Sequence, residues 1–144
     1  MKKSFLLLVL MNLFSATANS EEMGRITVEI IGAKDNSKAT LICFIFNSKE
    51  AFLKESKALQ TLNASVGGNG TNCEFSVPMN KEYAIAVLQD ENANRVLDKN
   101  ILGVPKEGWG TSNNVTHTFK SPEFDESKIL LKEKLITIKL SMRY

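Results

Sequence analysis

The chain has 144 residues, among them 18 Lys or Arg, 16 Asp or Glu, two Cys, one Trp and one His. This length predicts a single domain that can bury a hydrophobic core without help from a metal. Without Lys2 and Lys3, the basic residues fall to 16 and balance the 16 acidic residues. We therefore expect no nucleic-acid partner, because such proteins carry a basic patch.

Residues 1–18 predict a signal peptide. Lys2 and Lys3 precede an apolar run over residues 5–10, and Ala16 and Ala18 are the small residues that a signal peptidase requires. Cleavage after Ala18 would leave residues 19–144 as a single periplasmic or secreted domain; the alternative is a buried N-terminal helix. The run is shorter than the roughly 20 residues of a transmembrane helix, and we expect no transmembrane segment in the mature chain.

Alternating hydrophobicity through most of the mature chain predicts a mainly β fold. Ile26, Val28 and Ile30 share one face of their predicted strand. Residues 40–46 and 83–88 are apolar on both faces, which is typical of strands at the centre of a sheet. The predicted strands are residues 25–31, 40–46, 64–66, 72–77, 83–88 and 115–119, with a C-terminal hairpin of residues 129–131 and 135–140.

Residues 48–62 have a different period. Phe52, Leu59 and Leu62 fall on one helical face, and Ser48 is a suitable N-cap, so we expect a short helical insertion. Residues 67–70, with three Gly and one Asn, predict a sharp turn. Together these features indicate a seven-stranded β-sandwich of the immunoglobulin-like or prealbumin-like kind.

Cys43 and Cys73 are the two cysteines of the chain, and both lie on the inward faces of their predicted strands. An even number of cysteines in an exported protein permits a disulfide that crosses the core. The alternative is two buried thiols that pack as small hydrophobic groups.

Residues 90–114 form a long polar segment between predicted strands. Segments of this length in compact domains are usually functional or disordered, and its Trp, Gly, Pro and Asn residues favour a defined shape. Since binding residues often lie on loops that a rigid scaffold holds, we place the candidate sites here.

The first half of this segment resembles a calcium-binding loop. The candidate ligands are Asp90, Asn92, Asn94, Val96 (through its carbonyl) and Asp98, which take positions one, three, five, seven and nine of an EF-hand loop. Position six lacks Gly and position twelve lacks a carboxylate, so we expect a Kd of about 10⁻⁴–10⁻³ M. The alternative is a chain of Asx-turns, in which these side chains bond their own backbone. Calcium is the one candidate cofactor.

The second half of the segment suggests ligand recognition. Trp109 lies between two Gly residues and can either present its ring to a glycan or another ligand, or fold back as an anchor. The candidate ligand-binding residues are Glu107, Trp109, Ser112, Asn113 and Asn114. A third hypothesis is a hydrolase that uses the carboxylates of Asp90, Asp98 and Glu107. The sequence contains no nucleophile-elbow, paired-His or phosphate-loop motif that would support an enzyme.

Several blocks of this chain occur together in a known family. They are Asp90-Glu91-Asn92-x-Asn94-x-x-Leu97-Asp98-x-Asn100, residues 103–110, and Ser112-Asn113-Asn114, with further similarity in residues 46–52, 83–87, 122–124 and 137–140. These blocks resemble the signature of the bacterial DUF2141 family and cover nearly all of the mature chain. The chain departs from the family at Gln89 and Arg95, where His and Gly are usual. The resemblance implies a secreted β-sandwich and implies no reaction.

From these observations we expect an exported, non-enzymatic β-sandwich protein of the cell envelope with a binding or structural role. The alternatives are a calcium-dependent recognition module that uses residues 90–114 and a hydrolase that uses the carboxylates of that segment. An envelope component or a glycan is the candidate partner.

Overall fold

The computed structural model describes residues 20–36, 38–66 and 71–144, which form eight strands, one α-helical turn and two 3₁₀ turns. The predicted signal peptide and the turn at residues 67–70 lie outside the described residues. The strands are β1 (Met23–Ile31), β2 (Thr40–Phe46), β3 (Gln60–Ser65), β4 (Thr71–Pro78), β5 (Glu82–Asp90), β6 (Gly108–Thr111), β7 (Ile129–Leu130) and β8 (Leu135–Ser141). The helix α1 is Phe124–Ser127, and the 3₁₀ turns are Glu55–Lys57 and Ser112–Asn114.

The strands form two sheets, which confirms the predicted mainly β class. The three-stranded sheet has the order β4-β1-β8, and the five-stranded sheet has the order β3-β2-β5-β6 with β7 paired to β5. Strands β1 and β8 run parallel, and the other pairs are antiparallel. No helix in the described part of the chain has the length and apolarity needed to cross a membrane.

The inner faces of both sheets supply one hydrophobic core. Ile26 and Val28 of β1, and Phe75 of β4, are fully buried against β2 and β5 of the other sheet. Because side chains alternate along a strand, every second residue reaches this core, as the sequence predicted. The predicted disulfide between Cys43 and Cys73 is confirmed; it joins β2 to β4 across the core, with Cα atoms 6.6 Å apart. Such a bridge contributes about 2–4 kcal/mol to stability.

The five-stranded sheet is also apolar on its outer face. Phe44 and Phe46 of β2, and Ala84 of β5, form a second buried cluster there. Phe52 and Phe124 cover part of this cluster, and the ring of Phe52 makes edge contacts with Phe46 at 5.6 Å and with Phe124 at 6.0 Å. The candidate site lies beside these rings on the same face.

The predicted helical insertion at residues 48–62 is reduced to the 3₁₀ turn Glu55–Lys57. Ser48 accepts a hydrogen bond from the Ala51 amide (3.3 Å), as an N-cap would, but Leu53 then adopts a left-handed φ of 58° and Lys54 is extended. The chain makes only turns before β3 begins, and Leu62 packs into the inner core from this strand. The apparent helical spacing of the apolar residues therefore came from two separate packing sites.

Three further strand predictions are wrong in pairing or existence. Residues 115–119 form no strand, because left-handed φ values at Asn113 (61°) and Asn114 (51°) turn the chain out of the sheet. The C-terminal hairpin does not form, since β7 pairs with β5 while β8 pairs with β1. Strands β3 and β4, on either side of the predicted turn at residues 67–70, belong to different sheets, and residues 108–111 of the segment predicted as loop form β6.

Candidate functional site

The loop between β5 and β6 is ordered by hydrogen bonds from its own side chains. The carboxylate of Asp90, which is only 2% exposed, accepts the amides of Asn94 (3.2 Å) and Arg95 (2.8 Å). Arg95 has a left-handed φ of 63°, the conformation that favours Gly at position six of a calcium loop. The loop therefore has the turn of a calcium loop, although it lacks the Gly.

Asx-turns continue this network through the rest of the predicted calcium ligands. The side-chain oxygen of Asn92 accepts the Asn94 amide (3.1 Å), and that of Asn94 accepts the Val96 amide (2.9 Å). The amide nitrogens of both Asn side chains consequently face Asp98, to which Asn94 donates at 3.1 Å. In the described part of the chain, no three His, Cys, Asp or Glu residues converge as metal ligands.

Calcium binding stays a prediction, and it has a direct test. A Kd of about 1 mM would raise the free energy of unfolding by about 1.4 kcal/mol in about 10 mM Ca²⁺. Because the hydrogen-bonded loop already satisfies its carboxylates with N–H donors, we expect the melting temperature to stay unchanged. A chelator-reversible rise that disappears in Asp98→Ala would show instead that the cation binds.

Glu107 closes the base of the loop. Its side chain is 4% exposed, and its two oxygens accept the amides of Glu91 (3.0 Å) and Asp98 (3.1 Å). The carboxylates proposed for a hydrolase, those of Asp90, Asp98 and Glu107, are thus all engaged by donors of the loop. Their observed contacts are structural.

The Ser112-Asn113-Asn114 block links three parts of the sandwich. The buried Ser112 hydroxyl donates to the Ser127 carbonyl and accepts the Ile85 amide (2.9 Å). Asn113 donates to the carbonyls of Glu126 and Lys128, and Asn114 bonds Lys139 and Ser141 of β8. These three predicted ligand-binding residues therefore make hydrogen bonds within the protein through their side chains.

Trp109 is placed differently from the other predicted ligand-binding residues. In β6 it lies opposite Leu88 of β5, and its backbone exchanges two hydrogen bonds with Arg143 near the end of the chain (3.0 and 2.8 Å). Opposite residues in an antiparallel pair project from the same face, so Trp109 stands on the outer face of the five-stranded sheet, half-buried. It is neither a free loop tip nor a fully buried anchor.

An open groove of about 1390 Å³ lies over this outer face. Its walls are segments 49–55, 96–105 and 116–125, and Arg143 and Tyr144 line it beside Trp109. The floor consists of Phe44, Ala86, Leu88, Trp109 and Thr111. Apart from the half-buried Trp109, these floor side chains are buried, so closely packed side chains form the base of the groove.

The rim of the groove exposes large apolar side chains. Phe119 is 100% exposed, Leu102 is 82% exposed, and Val96 and Val104 are about half exposed. Asn100 holds the 100–104 turn rigidly, because its side-chain oxygen accepts the amides of Leu102 (2.9 Å) and Val104 (3.0 Å). Several large apolar side chains exposed around one groove indicate a candidate interaction site. The groove could not be predicted from the sequence, because the pairing of β5 with β2 and β6 that builds its floor joins residues far apart in the chain.

A contact between His117 and Glu126 holds the wall that carries Phe119. His117 Nε2 lies 2.9 Å from both carboxylate oxygens of Glu126, which also accepts the Glu123 amide at the start of α1. The bond to His117, followed by that to the Glu123 backbone, lowers the pKa of Glu126 below its ordinary value of 4.5. The stabilisation from this carboxylate is complete above pH 4.5 and is lost as the pH falls through the lower pKa of the folded state.

Glu126→Gln should therefore lower the urea midpoint near neutral pH, and the difference from the wild type should disappear well below pH 4.5. Urea titrations of both proteins across this range, with the exposed Glu133→Gln as the control, give the measurement. A difference that is constant with pH would show that the carboxylate charge has no part in it.

Comparison with known proteins places the chain in one family. No curated protein and no solved structure was found to match it. The family model described as "Uncharacterized protein conserved in bacteria (DUF2141)" matches residues 28–139, which span both sheets, the hydrogen-bonded loop and most of the groove. The chain therefore belongs to the DUF2141 family.

Proposed function

We propose that this protein is an exported, non-enzymatic binding module of the cell envelope, and that it holds a small molecule with an extended apolar part in the outer-face groove. The observation that carries the proposal is the rim, where Phe119 and Leu102 stand almost fully in solvent above an apolar floor. Burying such side chains against a ligand is favourable by about 25 cal/mol per Å² of apolar surface.

Two features of the chain support the other parts of this proposal. Lys2, Lys3 and the Ala16-x-Ala18 pattern support export, and so does the disulfide, because disulfides persist mainly in oxidising compartments. A binding role is supported over hydrolysis because the loop carboxylates accept internal N–H donors. A purely structural role does not account for the exposed apolar side chains of the rim.

A neutral fluorescent probe, N-phenyl-1-naphthylamine, tests the proposal. We expect the wild type to bind it, with a change in the emission of the single Trp109 beneath the ligand. The double variant Leu102→Ser/Phe119→Ser should raise the Kd about tenfold or more, because two apolar contacts are lost.

The matched control is Leu130→Ser, since Leu130 is also exposed (45%) but lies on β7. Its Kd should equal that of the wild type. A wild type that does not bind the probe, or a double variant that binds it as tightly as the control does, would overturn the proposal.

A further inference from the structure

At the β6 edge of its floor, the groove carries a positive charge next to Trp109. Leu88 lies opposite Trp109, and Trp109 lies opposite Arg143, so the three form a row across the outer face. Arg143 lines the groove, and its side chain makes no ion pair with any residue in the described ranges. A guanidinium is well suited to bind a carboxylate or phosphate through two parallel hydrogen bonds.

The adjacent row supplies a polar atom without a partner. Phe44, Ala86 and Thr111 lie opposite one another, one row along from Trp109. Thr111 is 1% exposed and lines the groove, yet its hydroxyl has no hydrogen-bond partner within the described structure. Buried hydroxyls are nearly always paired, so an unpaired one is a place where a ligand can accept a hydrogen bond. The Thr111 hydroxyl is such a donor, one row from Arg143 on an otherwise apolar floor.

The remaining charges of the lining are also unequal. Five Lys or Arg residues and three Asp or Glu residues line the groove. Lys49 pairs with Asp125 and Lys120 pairs with Glu123, which neutralises two of the three acids. Lys54 and Lys99 join Arg143 as cations that make no ion pair among the residues described, against Glu55 alone. The groove therefore combines an apolar floor with an excess of positive charge.

We propose that the ligand is a monomeric amphiphile with an anionic head group. The head group lies at Arg143 and accepts a hydrogen bond from Thr111, and the apolar chain extends over Ala86 and Phe44 between the exposed walls. This inference rests on the proposed function and adds the chemical class of the ligand. Binding is non-covalent. Because salt screens the Coulomb attraction between Arg143 and the head group, the affinity should fall at high salt.

Three probes of one chain length separate the charge from the apolar chain: decanoate, 1-decanol and decylamine. The affinity of each compound is measured by its displacement of N-phenyl-1-naphthylamine from the protein. We expect decanoate to bind about tenfold more tightly than 1-decanol, a difference that salt reduces, and decylamine to bind most weakly.

Side-chain variants then locate the head group. Arg143→Gln should weaken decanoate about tenfold and leave 1-decanol unchanged, since only the ion pair is lost. Thr111→Val should weaken decanoate several-fold while the melting temperature stays equal or rises, because an unpaired buried hydroxyl is replaced by a methyl group of the same shape. Lys132→Gln, an exposed cation away from the groove, should change neither affinity.

The outcomes separate this inference from the proposed function. Equal affinities for decanoate and 1-decanol, with no effect of Arg143→Gln, would overturn the anionic class while the groove remained a binding site. A wild type that binds none of the probes would overturn both. Binding to phosphatidylglycerol vesicles without affinity for free decanoate would overturn the monomeric ligand in favour of a membrane surface.

Discussion

Gly110→Ala is expected to lower the free energy of unfolding by about 3 kcal/mol, through overpacking of the inner core. A Cβ atom at this position would lie 2.5 Å from Leu140 Cδ2 and 2.7 Å from the carbonyl oxygen of Ser141. The carbonyl belongs to β8 and cannot move without disturbing the strand, so β6 and β8 must separate. Urea denaturation of the variant and the wild type gives the measurement.

Gly108→Ala is the informative companion variant. A Cβ atom there would meet the ring of Tyr144, whose hydroxyl bonds the Lys34 amide (2.7 Å) and Gln89. Since this ring can swing away, Gly108→Ala should cost less than Gly110→Ala, and adding Tyr144→Ala should relieve its steric cost. Tyr144→Ala should bring no relief to Gly110→Ala. Equal stability of Gly110→Ala and the wild type would contradict the close approach of β6 and β8.

Glu107→Ala is expected to lower the free energy of unfolding by about 2–4 kcal/mol, because the amides of Glu91 and Asp98 lose a buried charged acceptor. Hydrogen exchange should show the loss locally, with faster exchange across residues 91–107 than in the core strands. The 96–105 wall of the groove should loosen, so the affinity for N-phenyl-1-naphthylamine should also fall.

Two variants control this prediction. Glu107→Gln keeps one acceptor oxygen and should cost about half as much, because one of the two amides retains a partner. Glu133→Ala removes an exposed carboxylate and should change nothing. If Glu107→Ala left both the urea midpoint and the exchange rates of the loop unchanged, the loop would not depend on this carboxylate.

Local alternation predicted the central strands well. Both ends of β1, β2, β4 and β5 were predicted to within two residues, because each strand buries either every second side chain or both faces. The disulfide followed from the same inward phase of Cys43 and Cys73. The pairing of β8 with β1 was not visible in the sequence, since nothing local specifies a parallel partner more than 100 residues away.

The candidate site was harder to predict, and for a physical reason. Asp, Asn and Glu are common in binding loops, but their side chains equally often form hydrogen bonds with the backbone of the same loop. Here Asp90, Glu107 and Ser112 are buried in internal hydrogen bonds. The groove is built from apolar residues of β2 and β5 that look like ordinary core, and from an Arg143 that joins it only through β6.

The central claim is that the outer face of the five-stranded sheet binds the ligand and that the polar signature of residues 90–114 mainly holds the scaffold together. Nuclear magnetic resonance of the ¹⁵N-labelled protein titrated with N-phenyl-1-naphthylamine tests it directly. We predict that the largest shifts occur at the amides of Ala86, Leu88 and Thr111 and at the Trp109 indole. Shifts confined to residues 90–98 and 112–114, with the floor amides unmoved, would contradict it.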